Sequence, residues 1–136
     1  MRPIIFSLPL LIAASALMTG CTPAAPPRPL VVHSGQTVRV GNGYWISTSD
    51  CRSLVIKFDH VEAISGGDYL KLSTVPAMIT PSQPGCTTTR VPGVNVMATA
   101  AKVSQPTNVH LAYVLYWDTI NGPEQWRGSF NVTIVP

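Results

Sequence analysis

Apolar and polar residues alternate most regularly near the end of the chain. Over residues 109–117, Val109, Leu111, Tyr113, Leu115 and Trp117 fall on one side of an extended backbone. That period of two predicts a long strand with one face in a core. Residues 126–135 repeat the pattern, with Phe130, Val132 and Ile134 inward and Ser129, Asn131 and Thr133 outward. Residues 118–124, which contain Asn121-Gly122-Pro123, supply the loop of a hairpin. Earlier segments are shorter. Residues 30–33 make a first strand, turned by Ser34-Gly35, and residues 37–40 make a second, broken by Gly41-Asn42-Gly43. A further strand is predicted over 44–47. Another spans 54–58, with Leu54, Ile56 and Phe58 on one face. Ser65-Gly66-Gly67-Asp68 turns the chain into a strand at 69–73. Pro76, Pro81 and Pro84 restrict any strand around 77–80 to a short or edge position, and residues 94–100 follow Pro92-Gly93 as a further strand. No segment after Cys21 keeps a helical period.

The N-terminus is patterned differently. Arg2 is the sole charge before Cys21, and residues 3–18 are almost wholly apolar or small. A basic start, an apolar run and small residues at its end form a secretory signal. Pro9 interrupts the run, which falls short of the roughly 18 apolar residues a bilayer-spanning helix needs. Met18-Thr19-Gly20-Cys21 closes the signal. It resembles the lipobox of bacterial lipoproteins, with Met18 departing from the aliphatic residue usual at its first position. The resemblance implies cleavage before Cys21, a diacylglyceryl group on its thiol, and acylation of the new amine. One acyl chain holds a protein marginally and two or more hold it firmly, at ~0.8 kcal/mol per buried methylene. Thr22 stands where retained inner-membrane lipoproteins of enteric bacteria carry Asp, so the resemblance directs the chain to the outer membrane of a Gram-negative host. Residues 22–29 read TPAAPPRP, a semi-rigid polyproline spacer at ~3.1 Å per residue.

Removing residues 1–20 as a signal leaves about 115 residues, one domain's worth, in which 8 basic residues face 6 acidic ones. So weak and scattered a charge argues against nucleic-acid binding. Of three cysteines, Cys21 is assigned to lipid, leaving Cys51 and Cys86 as an even pair in an oxidising compartment. A disulfide between them is the expectation. Metal binding is the alternative, weakened because no matched Cys or His pair accompanies them.

About seven short strands between turns predict an all-β fold, an antiparallel β-sandwich after a helical signal peptide. Residues 30–136 resemble, in strand rhythm, the immunoglobulin-like domains of bacterial envelope proteins. They depart from true immunoglobulin domains in the placement of Cys86 before the last three predicted strands. The chain thus divides into a signal at 1–20, a lipidated Cys21 with a Pro-rich tether to residue 29, and a sandwich domain at 30–136.

No catalytic constellation stands out. His33, His60 and His110 lie in separate elements with no ligand spacing. Asp59-His60 reads as strand-end polarity, because neighbours on a strand point to opposite faces. There is no nucleophile elbow, calcium loop or phosphate-binding glycine motif. Asn131-Val132-Thr133 matches a glycosylation sequon, which a bacterial host would leave unused. The aromatic residues are the better lead. Trp117 with Trp126 reads as core closure below the hairpin loop, while Tyr44, Trp45 and Tyr116 form the candidate binding surface. The expectation is a non-enzymatic envelope protein needing no cofactor or metal. It would be anchored to the membrane through acyl chains on Cys21 and serve structure or contact with an envelope protein. The alternatives are a carbohydrate- or peptidoglycan-binding module and an inhibitor of a secreted hydrolase.

Overall fold

The computed structural model describes residues 28–136. The signal segment, Cys21 and the tether up to residue 27 lie outside the described residues. From Leu30 onward the chain is all-β: β1 (Leu30–His33), β2 (Thr37–Gly43), β3 (Val55–Ser65), β4 (Leu70–Ile79), β5 (Val91–Ala100), β6 (Thr107–Thr119) and β7 (Gly122–Val135). They form a sandwich of a four-stranded sheet, ordered β1-β7-β6-β3, and a three-stranded sheet, ordered β2-β5-β4. Every pairing is antiparallel except β1 with β7, which is parallel.

The hairpin β6–β7 organises the core. All five odd-numbered residues expected inward on β6 are buried, and Val132 and Ile134 of β7 join them. Val96, Ala98 and Ala100 of β5, with Val32, Val40 and Leu70, close the core from the other elements. The hairpin is longer than expected. Its strands pair from Thr107↔Ile134 to Thr119↔Gly122, so only Ile120 and Asn121 turn the chain.

Four expectations need correction. Gly41-Asn42-Gly43 does not break β2. The strand runs through it, with a register shift between Arg39 and Gly41. Here the missing side chains admit the core: a Cβ on Gly41 would collide with the Tyr113 hydroxyl, and one on Gly43 would lie 2.7 Å from Trp117 Cζ2. Residues 44–47 form a loop rather than a strand, with a single bridge from Ile46 to Ser53. Ile56 is not inward but 67% exposed. Three register shifts along β3 change its phase, leaving Val55, Phe58, Val61 and Ala63 as the more buried positions. Each shift inserts a residue against β6, and an inserted residue reverses the side-chain alternation that follows. Finally, the segments expected separately at 69–73 and 77–80 are one strand, β4, which runs through Pro76 and keeps the expected edge position. It lies at the edge of its sheet, where a missing N–H leaves no ladder bond unmade.

Cys51 and Cys86 form a disulfide, with their Cα atoms 5.4 Å apart. It joins the loop between β2 and β3 to the loop between β4 and β5. Cys51 takes a left-handed φ of 59°, uncommon for a residue with a Cβ. Its N–H donates to the Ser47 carbonyl, and the Arg52 N–H donates to Asp50 Oδ1 at 3.2 Å. That backbone donor is the main cause holding the Asp50 carboxyl below its usual pKa.

Candidate groove between the sheets

The two sides of the sandwich are closed differently. On one side, β3 and β4 are the outer strands, and both carry features that discourage pairing with another chain. β3 is broken by its three register shifts and presents Lys57, Asp59 and Glu62, while β4 carries Lys71 and Pro76. On the other side, β2 borders the small sheet and β7 faces it across the sandwich. β1 covers β7 only from Val132 to Val135. Below that point the outward edge of β7 has no neighbour strand among the described residues.

A groove of about 740 Å³ opens along this side. Its floor is the ring of Tyr113, which reaches from β6 between Gly41 of β2 and Gly128 of β7. Glycine is required at both positions. A Cβ on Gly128 would stand 2.6 Å from the Tyr113 ring carbon that bears the hydroxyl. Tyr113 as a whole is only 2% exposed. Its hydroxyl stands between the two glycines at the floor of the groove. Burial pushes this phenol above its ordinary pKa.

Trp126 and Phe130 form the β7 wall. They point toward the inner side of their sheet, as their pairing opposite Leu115 and Leu111 requires, yet they are 43% and 39% exposed. Phe130 was expected inward, and Trp126 was expected to close the core with Trp117. Trp117 is buried and meets Phe58 edge-on with ring centroids 5.1 Å apart. Trp126 instead lies on the groove wall, its ring 6.4 Å from that of Tyr113. Among the described residues the small sheet has no fourth strand to cover it.

Tyr44 and Trp45 stand at one end of the same groove, beside Ser82 and Gln83 of the opposite loop. The Tyr44 hydroxyl accepts from the Ser82 N–H at 3.0 Å. The disulfide ties these two loops together a few residues further along, so it braces this end. Among the described residues, Arg39 is the one charged residue in the lining and no carboxylate is present there.

Tyr116 belongs elsewhere, on the outer face of the large sheet. Its ring stacks on His60 at 4.4 Å with a 13° interplanar angle, and its hydroxyl donates to Glu62 at 3.3 Å. His60 Nδ1 lies 3.0 Å from Asp59 Oδ2. The Asp59-His60 pair therefore sits in mid-strand, not at a strand end. The register shift between Phe58 and His60 lets the neighbouring side chains meet. Asp59, His60 and Glu62 are exposed and none of these groups lines the groove. Sequence alternation identified neither this cluster nor the groove wall. The first depends on a bulge, and the second on a strand count that differs between the sheets. No group of His, Cys, Asp and Glu suited to a metal ion occurs among the described residues.

No family model, characterised protein or solved structure matches this chain. The functional reading therefore rests on the residues themselves.

Proposed function

We propose that this chain is a lipid-anchored bacterial envelope protein, non-enzymatic, that binds a partner protein of the envelope along the open side of its sandwich. The anchor is Cys21, read from the lipobox resemblance of Met18-Thr19-Gly20-Cys21, with the outer membrane as its destination. The observation that carries the binding role is the pair of half-exposed rings, Trp126 and Phe130, on a core-facing surface that no other described residue covers fully. Large apolar side chains left half-exposed in an open cleft are typical of a contact surface rather than of a finished core.

A carbohydrate or peptidoglycan ligand is the second reading. It is favoured by the concave groove that brings Tyr44 and Trp45 together with Trp126 and Phe130. One experiment separates the two. A photo-reactive phenylalanine analogue is placed at position 130 and, as a control, at Lys71 on the small sheet. Irradiation in cells should give one discrete protein adduct from position 130 and none from the control. Absence of any adduct at position 130, with co-sedimentation on purified sacculi that Trp126→Ala abolishes, would replace the first reading by the second.

A further inference from the structure

We infer that the free edge of β7 between Gln125 and Asn131 is a seat for one extended segment of a second polypeptide, added as a strand to the large sheet. This rests on the reading of the open side as the binding surface and says how that surface takes its partner. The first support is hydrogen-bond geometry. The Ser34 N–H donates to the Val135 carbonyl at 2.8 Å, so Val135 directs its backbone groups toward the β1 edge. Successive residues of a strand direct theirs to opposite edges, and β7 pairs with β6 without a register shift. Asn131, Ser129, Arg127 and Gln125 therefore present N–H and C=O groups outward. Among the described residues no strand pairs with this edge at Gln125, Arg127 or Ser129, and the β1 ladder reaches only the Asn131 carbonyl, through Leu30. Phe130, Gly128 and Trp126 direct theirs to β6.

Continuity is the second support. β1 already occupies this same edge in parallel, from Leu30↔Val132 onward. The seat is the unfilled remainder of a ladder the fold has begun. The chain's own preceding segment is poorly suited to fill it. The Ser34 N–H sets even-numbered residues toward β7, and Pro26, which would fall on that side, has no N–H to give the ladder. Pro29 itself lies beside His110 and Asn131.

The chemistry of the occupant follows from the two faces of the seat. A strand beside β7 places alternate side chains on the inner side, over Trp126 and Phe130, and the others on the outer side near Arg127. Arg127, on that outer side, forms no ion pair among the described residues. The occupant therefore carries an apolar residue at every second position, with acidic or neutral residues between. Main-chain bonds supply affinity in such strand addition, and the alternate side-chain contacts supply selectivity.

The test uses the purified full-length chain in detergent micelles and a phage-displayed library of random dodecapeptides. Enriched peptides should show the period-two apolar pattern. Their synthetic forms should bind at least tenfold more weakly to Ser129→Pro, which removes one outward N–H and leaves the β6 ladder and the rings in place. Amide hydrogen exchange of the wild type gives a second readout that needs no variant to fold. Bound peptide should slow exchange at Arg127 and Ser129 and leave Gly128 and Phe130 unchanged. The seat is wrong if no peptide is enriched, if Ser129→Pro binds equally well, or if the Arg127 and Ser129 amides do not respond. It is also wrong if those amides become protected with rising protein concentration alone, since the occupant is then a second copy of this chain. Sacculus fragments that quench Trp126 fluorescence without slowing either amide would assign the groove to a glycan. Failure of the seat is distinct from failure of the wider reading: the adduct at position 130 would persist in the first case and be absent in the second.

Discussion

Tyr113 shows what one residue contributes and what its sequence context concealed. Alternation on β6 correctly placed it in the core. It did not show that the ring would fill the space left by two glycines on different sheets. Gly128→Ala puts a methyl group into the Tyr113 ring and within 2.9 Å of Trp126 Cζ3. Overpacking of this kind costs about 1–3 kcal/mol, which a urea titration would record as a lowered midpoint. The same residue predicts a pH effect. Its folded-state pKa lies above that of the unfolded chain, so folding favours the protonated phenol. That stability is fully present below the ordinary tyrosine pKa of about 10 and is lost as pH rises through the higher folded value. The urea midpoint should therefore fall above this pH in the wild type, and fall less in Tyr113→Phe. Equal falls in both proteins would show that Tyr113 is not the source. Trp126 gives the complementary lesson. Its position on the strand was legible, but its exposure depends on the facing sheet having one strand fewer among the described residues.

At the scale of elements, legibility followed the regularity of the ladders. β6 and β7 pair without a shift, and their phase could be read almost to the turn. β3 shifts three times against β6, and its inward residues could not be read from a simple period of two. β2 looked broken because its glycines resembled a turn, whereas they make room for side chains from β6. The two long loops could not be placed in space from the pattern, but the cysteines within them could be paired by compartment and number. Replacing both, as Cys51→Ala with Cys86→Ala, should destabilise the domain by about 4 kcal/mol through restored loop entropy in the unfolded chain. The loss is measurable by chemical denaturation with and without reductant. The variant should also become insensitive to reductant, and ligand contacts at Tyr44 and Trp45 should weaken more than those at Phe130. A variant as stable as the wild type would mean that the loops hold each other without the bond.

For the whole molecule, the asymmetry of the sandwich is the main result. One side is broken up by bulges, charges and a proline, and the other leaves rings and unpaired backbone facing outward. An exposed edge of this kind is an aggregation hazard in a freely diffusing protein. Our proposal ties it to a chain held at a surface by lipid and offering its edge to one partner. The sequence conveyed the all-β class and the disulfide through alternation and cysteine count. It could not convey the groove, which exists only once the two sheets are stacked with unequal strand numbers. The mooring is read from residues 18–21 alone, so it is the part most in need of a direct test. Mass spectrometry of the N-terminal peptide from protein made in a bacterial host measures it in one step. The account predicts a peptide that begins at Cys21 and carries the mass of a diacylglyceryl group on its thiol. A mature chain that begins at another residue, or a Cys21 with an unmodified thiol, would contradict it.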